Sequence, residues 1–143
     1  MSQPKTILLV EDDPEVGIVT TLRLQLAGYE VIRSETLAGA LPHVDRADLI
    51  LLDLRLPDSD GDETCKRMAA HSTRAPIIVL TATRKASDQL AMSHLGAYLV
   101  LSKGGDGTFA AGLTDRIEEV IEAHRPIRET YDLIGDIRRV SGA

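Results

Sequence analysis

The chain has no tryptophan, and its one Phe and three Tyr make aromatics only 3% of 143 residues. Any core must therefore be aliphatic, built from Leu, Ile, Val and Ala. Cys65 is the only cysteine, which excludes an intramolecular disulfide and fits a reducing compartment. No apolar stretch approaches the roughly 20 residues of a membrane span. The opening segment Met1–Lys5 also lacks the apolar run of a secretion signal. The expectation is a soluble, cytoplasmic protein with no membrane contact. Basic side chains are outnumbered, 16 against 22 acidic, for a net charge of −6. That balance argues against a nucleic-acid surface, which needs clustered Lys and Arg, and leaves room for binding a cation. The four histidines, His43, His71, His94 and His124, are scattered and give no transition-metal pattern. There is no Walker A segment, internal repeat or low-complexity stretch.

What is present is globular in character, with 43% hydrophobic and 27% charged residues. The length fits one domain. A chain of this size buries roughly 70% of its unfolded surface, so it needs no disulfide or structural metal. Four short apolar runs stand out: Ile7–Val10, Leu49–Leu52, Ile77–Leu80 and Leu99–Leu101. None alternates with polar residues, as expected of strands buried on both faces of a parallel sheet. A fifth run, Glu30–Arg33, is mixed and suits an edge strand. Between the runs lie helical patterns. Val16, Val19, Leu22 and Leu26 form an apolar stripe on a helix opened by Asp13-Pro14 and closed before Gly28. Thr36 is placed to cap a short helix through Val44. Further helices are read over Asp62–His71, Lys85–Leu95 and Thr108–His124. The alternation gives a five-stranded, doubly wound α/β domain with helices on both faces of a parallel sheet. Arg125-Pro126 marks a candidate boundary, dividing a domain over 1–125 from a tail over 126–143. Leu113, Ile117, Val120, His124, Ile127, Tyr131 and Ile134 keep a heptad rhythm through Pro126. The tail is thus either a helical extension able to dimerise or to lead as a linker into another domain, or a segment broken from the helix at Pro126.

The residues that follow the strands carry the chemistry. The first run ends in Glu11-Asp12-Asp13, the next long one in Asp53, then Thr81, and the last runs through Ser102 to Lys103. In an open parallel sheet, ligands bind outside the carboxyl ends of the strands. Singly these residues mean little, since an acid after a strand is usually a helix cap. Together they bring carboxylates, a hydroxyl and an ammonium to one place. Crowded carboxylates repel unless a proton or cation intervenes. An oxygen-only ligand set favours a hard ion such as Mg²⁺. A carboxylate nucleophile, a dication, an ammonium and a hydroxyl are the parts for accepting a phosphoryl group.

These motifs resemble the receiver domains of bacterial response regulators over about residues 5–125. The matching segments are Ile7-Leu-Leu-Val-Glu-Asp-Asp13, Leu51-Leu-Asp-Leu-Arg-Leu-Pro-Asp-Ser-Asp-Gly61, Leu80-Thr-Ala82 and Leu101-Ser-Lys103. The resemblance implies a flavodoxin-like, three-layer α/β/α fold with strand order 2-1-3-4-5. It implies that Asp53 is the phosphoacceptor, served by a phosphohistidine on a sensor histidine kinase or phosphotransfer protein. Glu11, Asp12 and Asp53, with the backbone carbonyl of Arg55, would hold Mg²⁺. Thr81 and Lys103 would meet the phosphoryl group. Output would pass to an effector protein through the face of the fourth helix, fifth strand and fifth helix.

The chain departs from the family pattern at three places. Val100 stands where the family often has an aromatic switch residue, with Tyr98 two residues earlier and expected on the same strand face. Gly104-Gly105 follows Lys103 where a Pro is usual, and Asp62 follows Gly61 where an apolar residue is common. Arg55 and Thr83, each two residues beyond a site residue, are placed to tune phosphoryl lifetime. Such a domain is not an enzyme beyond its own phosphorylation and slow dephosphorylation.

Two alternatives use the same residues: a degenerate receiver acting as an unphosphorylated interaction module, and a small aspartate-nucleophile phosphatase. Against the second, Asp53-Leu-Arg55 lacks the second Asp of a D-x-D signature. Gly105-Asp-Gly-Thr-Phe-Ala110 matches a dinucleotide fingerprint, but no strand follows to complete that unit.

Overall fold

The structure is a computed structural model that describes residues 3–71, 74–81, 91–103 and 112–124. Five strands form one parallel sheet: β1 (Thr6–Val10), β2 (Glu30–Ser34), β3 (Leu49–Asp53), β4 (Ile77–Thr81) and β5 (Leu99–Ser102). Their order across the sheet is 2-1-3-4-5, with β2 and β5 at the edges. The apolar runs become strands because both faces are covered. On one face Leu8, Val10, Ile50, Leu52, Val79 and Val100 meet Leu37, Cys65, Met68 and Met92. On the other, Ile7, Leu9, Leu49, Leu51, Ile78 and Leu80 meet Leu24, Leu113, Ile117 and Val120. Burying each such large aliphatic side chain is worth roughly 1.5–3 kcal/mol. The result is the three-layer fold expected from the sequence.

Helix α1 (Pro14–Leu26) starts where Asp13 accepts from the N–H groups of Glu15 and Val16. It docks, however, through Gly17, Thr20 and Leu24. The expected apolar stripe faces outward instead, with Val19 49%, Leu22 54% and Leu26 88% exposed. The inner face carries Gly17 where β2 sends Arg33 beneath the helix. A Cβ on Gly17 would lie 2.3 Å from the Arg33 guanidinium carbon. Helix α2 (Leu37–Ala40) is capped by Thr36 as expected, but the stretch that was to continue it is a 3₁₀ turn over Leu41–Arg46. Pro42 interrupts the regular pattern there.

Helix α3 (Asp62–His71) has the expected bounds and buries Thr64, Cys65 and Met68. Asp62 and Glu63 occupy its first turn, a favourable place for acids at a helix N-terminus. Helical residues 91–94 belong to α4, and helical residues 112–124 to α5. The heptad stripe is half accounted for. Leu113, Ile117 and Val120 are buried against the sheet, so this half cannot also meet a second copy of the chain. Ile127, Tyr131 and Ile134 lie outside the described residues, as does the Gly105–Ala110 segment. No described helix is long and apolar enough to cross a membrane.

Gly96 ends α4 with φ of +108°, and a Cβ there would fall 2.5 Å from the Cβ of Ala69 on α3. Backbone conformation and space both demand glycine. Gly96→Ala should lower stability by about 2–4 kcal/mol, from left-handed strain plus overpacking. Urea unfolding measures this, and an unchanged midpoint would contradict the close approach of α4 to α3.

Candidate functional site

The parallel register brings the carboxyl ends of β1, β3, β4 and β5 to one edge. Glu11 follows β1, and its N–H donates to the Ser34 carbonyl at 3.0 Å. Asp53 ends β3 opposite Leu80. Thr81 ends β4 opposite Ser102, and its carbonyl accepts from the Lys103 N–H at 2.7 Å. Strand hydrogen bonds therefore fix each backbone independently of the side-chain contacts. Alternation along the strands does the rest. The parity that puts Leu9, Leu51 and Leu101 on the α1–α5 face also puts Glu11, Asp53 and Lys103 there. Thr81 has the parity of Ile77 and Val79, and shares the opposite face with Val100.

Lys103 Nζ donates to Glu11 Oε1 at 2.7 Å and to Asp53 Oδ2 at 3.0 Å. The Arg55 N–H donates to Asp53 Oδ1 at 3.1 Å. Glu11 is fully buried and Asp53 is 8% exposed, whereas Asp12 is exposed at the mouth. Burial pushes the Glu11 carboxyl up to about 7, with the neighbouring Asp53 carboxylate adding to the rise and Lys103 opposing it. Burial also acts to raise Asp53. The hydrogen bond with Glu11, the Arg55 N–H and the Lys103 charge outweigh it and hold Asp53 below its usual value. For Lys103, burial acts downward, but the Glu11 hydrogen bond and the Asp53 charge win and raise it. The pair of acids thus shares its protons unequally: Glu11 tends to keep one and Asp53 stays ionised, which is the state a nucleophile requires.

Glu11, Asp12 and Asp53 each offer a carboxylate oxygen, and these atoms lie within 4.8 Å of one another. Glu11 Oε2 is buried without a hydrogen-bond partner, a costly condition for a carboxylate oxygen. An all-oxygen set with one orphaned oxygen fits a hard cation such as Mg²⁺.

A short hairpin follows Asp53, with Arg55–Leu56 antiparallel to Ser59–Asp60. The Gly61 N–H donates to the Leu54 carbonyl at 2.9 Å. Antiparallel pairs alternate between bonded and non-bonded. Leu54/Gly61 is bonded, so Arg55/Asp60 is not, and the Arg55 N–H and C=O turn out of the ladder. The N–H reaches Asp53. Gly61 leads into α3 with φ of +63°, a conformation only glycine adopts cheaply.

Other expected site residues lie elsewhere. Tyr98 precedes β5, and its N–H donates to the Ile77 carbonyl at 2.8 Å, at the opposite end of the sheet. Its ring packs edge-on against His124, centroids 5.6 Å apart. It stands four residues before Ser102, about 13 Å along a strand, so it is not brought to Asp53. Val100 is buried in β5. Thr83 and Gly104-Gly105 are outside the described residues. The Arg55 N–H was not legible in the sequence, because a backbone donor leaves no mark on residue identity.

The family profile of the response regulator receiver domain matches residues 7–109. The chain belongs to the response regulator receiver domain family. Receiver domains interact with histidine kinases and are typically not enzymes in their own right. The transcriptional regulatory protein VxrB of Vibrio cholerae is 37% identical over 100 residues, which is 69% of this chain but 40% of VxrB. The chain thus spans less than half of that relative. The BeF3-activated N-terminal receiver domain of Klebsiella pneumoniae RstA is 28% identical with a TM-score of 0.71, covering 82% of this chain and 98% of that one. The receiver domain of the sensor histidine kinase PA1611 from Pseudomonas aeruginosa, solved with magnesium coordinated in its active-site cleft, is 31% identical with a TM-score of 0.70. It covers 83% of this chain and 98% of that one. The acidic pocket of Glu11, Asp12 and Asp53 is consistent with a phosphoacceptor site.

The raised Glu11 carboxyl has a thermodynamic consequence in metal-free protein. Between pH 4.5 and 7 the folded chain holds a proton that the unfolded chain releases, so this contribution to stability is lost as pH rises through that window. In EDTA, urea unfolding of wild type against Glu11→Gln should show the wild type losing stability relative to the variant from about pH 5 to about pH 8. A difference that stays constant with pH would remove the proton from Glu11.

Proposed function

We propose that this chain is the phosphoacceptor of a two-component phosphorelay. Asp53 takes a phosphoryl group from a sensor histidine kinase or a histidine phosphotransfer protein, with Mg²⁺, and the domain then alters the face it offers a downstream effector. The observation that carries this reading is the Lys103 ammonium bonded to both Glu11 and Asp53, at 2.7 and 3.0 Å, beside a third carboxylate. That arrangement keeps an ionised oxygen nucleophile next to a positive charge.

Glu11, Asp12 and Asp53, with the outward-turned Arg55 carbonyl, would hold Mg²⁺, which offsets the charge of the incoming phosphoryl oxygens. An Asp53 oxygen attacks phosphorus in line. The O–P bond forms as the P–N bond of the phosphohistidine breaks, its electron pair leaving with the ring nitrogen. The acyl phosphate adds roughly −1.5 to −2 of charge. Lys103 turns from the carboxylates to the new oxygens, and the Thr81 hydroxyl donates to them. The Thr81 movement repacks the face of α4, β5 and α5, where Val100 replaces an aromatic side chain, and that two-state face is the output. Arg55 and Thr83 control the water that later hydrolyses the acyl phosphate. Residues 1–125 form the receiver unit and 126–143 a tail, through which Ile127, Tyr131 and Ile134 would support a homodimer.

Acetyl phosphate with Mg²⁺, followed by intact mass, tests the reading. Wild type should gain about 80 Da, one phosphoryl group, and Asp53→Asn should gain nothing. An unmodified wild type, or an adduct that persists in Asp53→Asn, would refute it.

A further inference from the structure

Asp58 occupies the tip of the hairpin after Asp53 and bonds to a different element of the fold. Its Oδ1 accepts from the Leu37 N–H and its Oδ2 from the Ala38 N–H, both at 2.9 Å. These are first-turn donors of α2, which have no partner within their own helix. Thr36 already supplies the local cap, accepting from the Gly39 N–H at 3.0 Å. The N-terminus of α2 is thus held twice, once from its own segment and once from a residue 21 positions beyond Leu37. The second hold is a tie between segments. The two N–H groups also draw the Asp58 carboxyl below its usual value.

The hairpin needs such a tie. A two-residue ladder is not stable alone in water. Its base is fixed where the Gly61 N–H and the Thr64 hydroxyl meet the Leu54 carbonyl, at 2.9 and 3.0 Å. Thr64 Oγ1 also lies 2.7 Å from Ser59 Oγ, and Leu56 is buried in the core. Pro57, with its φ set near −65°, turns the chain, and Asp58 then fastens the tip. Between base and tip sits Arg55, whose N–H bonds Asp53 Oδ1 and whose carbonyl leaves the ladder on the same outward side.

We propose that Asp58 is a positioning residue for the Asp53 site: by fastening the hairpin tip to α2, it holds the Arg55 backbone against the phosphoacceptor carboxylate. Its effect on cation binding rests on the Mg²⁺ reading above, while its effect on the Arg55 amide does not. Without the tie, the Arg55 N–H and carbonyl lose their fixed place, and a cation shared with Asp53 is held less tightly.

The test compares Asp58→Ala and Asp58→Asn with Thr36→Ala, which weakens the α2 cap without touching the hairpin. Two quantities are read: amide hydrogen exchange at Arg55 in Mg²⁺-free protein, and Mg²⁺ affinity by calorimetry. Asp58→Ala should speed exchange at Arg55 and weaken Mg²⁺ binding roughly 10-fold, the lower end for an outer partner of a metal site. Asp58→Asn keeps one acceptor oxygen and should fall between; it decides the matter should the alanine variant fail to fold. Thr36→Ala should leave both quantities at the wild-type value, which a merely structural role in α2 would not. Either quantity remaining at the wild-type value in the Asp58 variants overturns the proposal. If wild type itself takes up no Mg²⁺, the metal reading fails, and exchange at Arg55 alone decides the role of Asp58.

Discussion

The Lys103 ammonium, set between Glu11 and Asp53, is the contact on which the site depends. Two carboxyl groups this deeply buried could not both remain charged without it. One ammonium stabilises one full negative charge, and the unequal surroundings decide which acid keeps it. Asp53 has the Arg55 N–H and a small opening to solvent. Glu11 has neither, and it retains an oxygen with no partner. The electrostatics therefore follow from strand register. Shifting β5 by one residue against β4 would turn Lys103 to the other sheet face, because side-chain direction reverses at every step.

Much of this was legible in the sequence, for a specific reason. A strand buried on both faces needs a continuous apolar run, and four such runs became β1, β3, β4 and β5 with nearly their expected bounds. The charged residues that interrupt those runs have no place in an apolar core, so their position after the runs marks the edge where they gather. Chemistry carried by side-chain identity at strand ends can be read directly. The pairing of Lys103 with Glu11, across 92 residues, needed the register as well.

The misreadings share a different cause. Periodicity tells which residues of a helix lie together but not which side meets the sheet. On α1 the largest apolar residues were expected inward. The close passage of Arg33 goes with the face of Gly17, Thr20 and Leu24 turning inward instead, leaving Val19, Leu22 and Leu26 in solvent. On α5 the periodic stripe was right, but its described half serves the domain's own core. Tyr98 was expected only to share a strand face with Val100. It lies beyond the end of the strand and packs on His124. Each error concerns what an element packs against, which is set by distant parts of the chain.

The hairpin between β3 and α3 was not foreseen, since two paired residues on each side produce no pattern. It nevertheless supplies what side chains could not. Glu11 and Asp53 extend from the ends of central strands paired on both sides, and Lys103 follows edge strand β5, its N–H held by the Thr81 carbonyl. The Arg55 backbone belongs to an element with little ladder of its own. An opening of that hairpin would remove the Arg55 N–H from Asp53 and leave the side-chain contacts with Lys103 and Glu11 to hold it. Precision at the site is therefore limited by its least supported part. The contacts gathered on that part, from Thr64 at the base, Leu56 in the core and α2 at the tip, supply the rigidity its own strands lack.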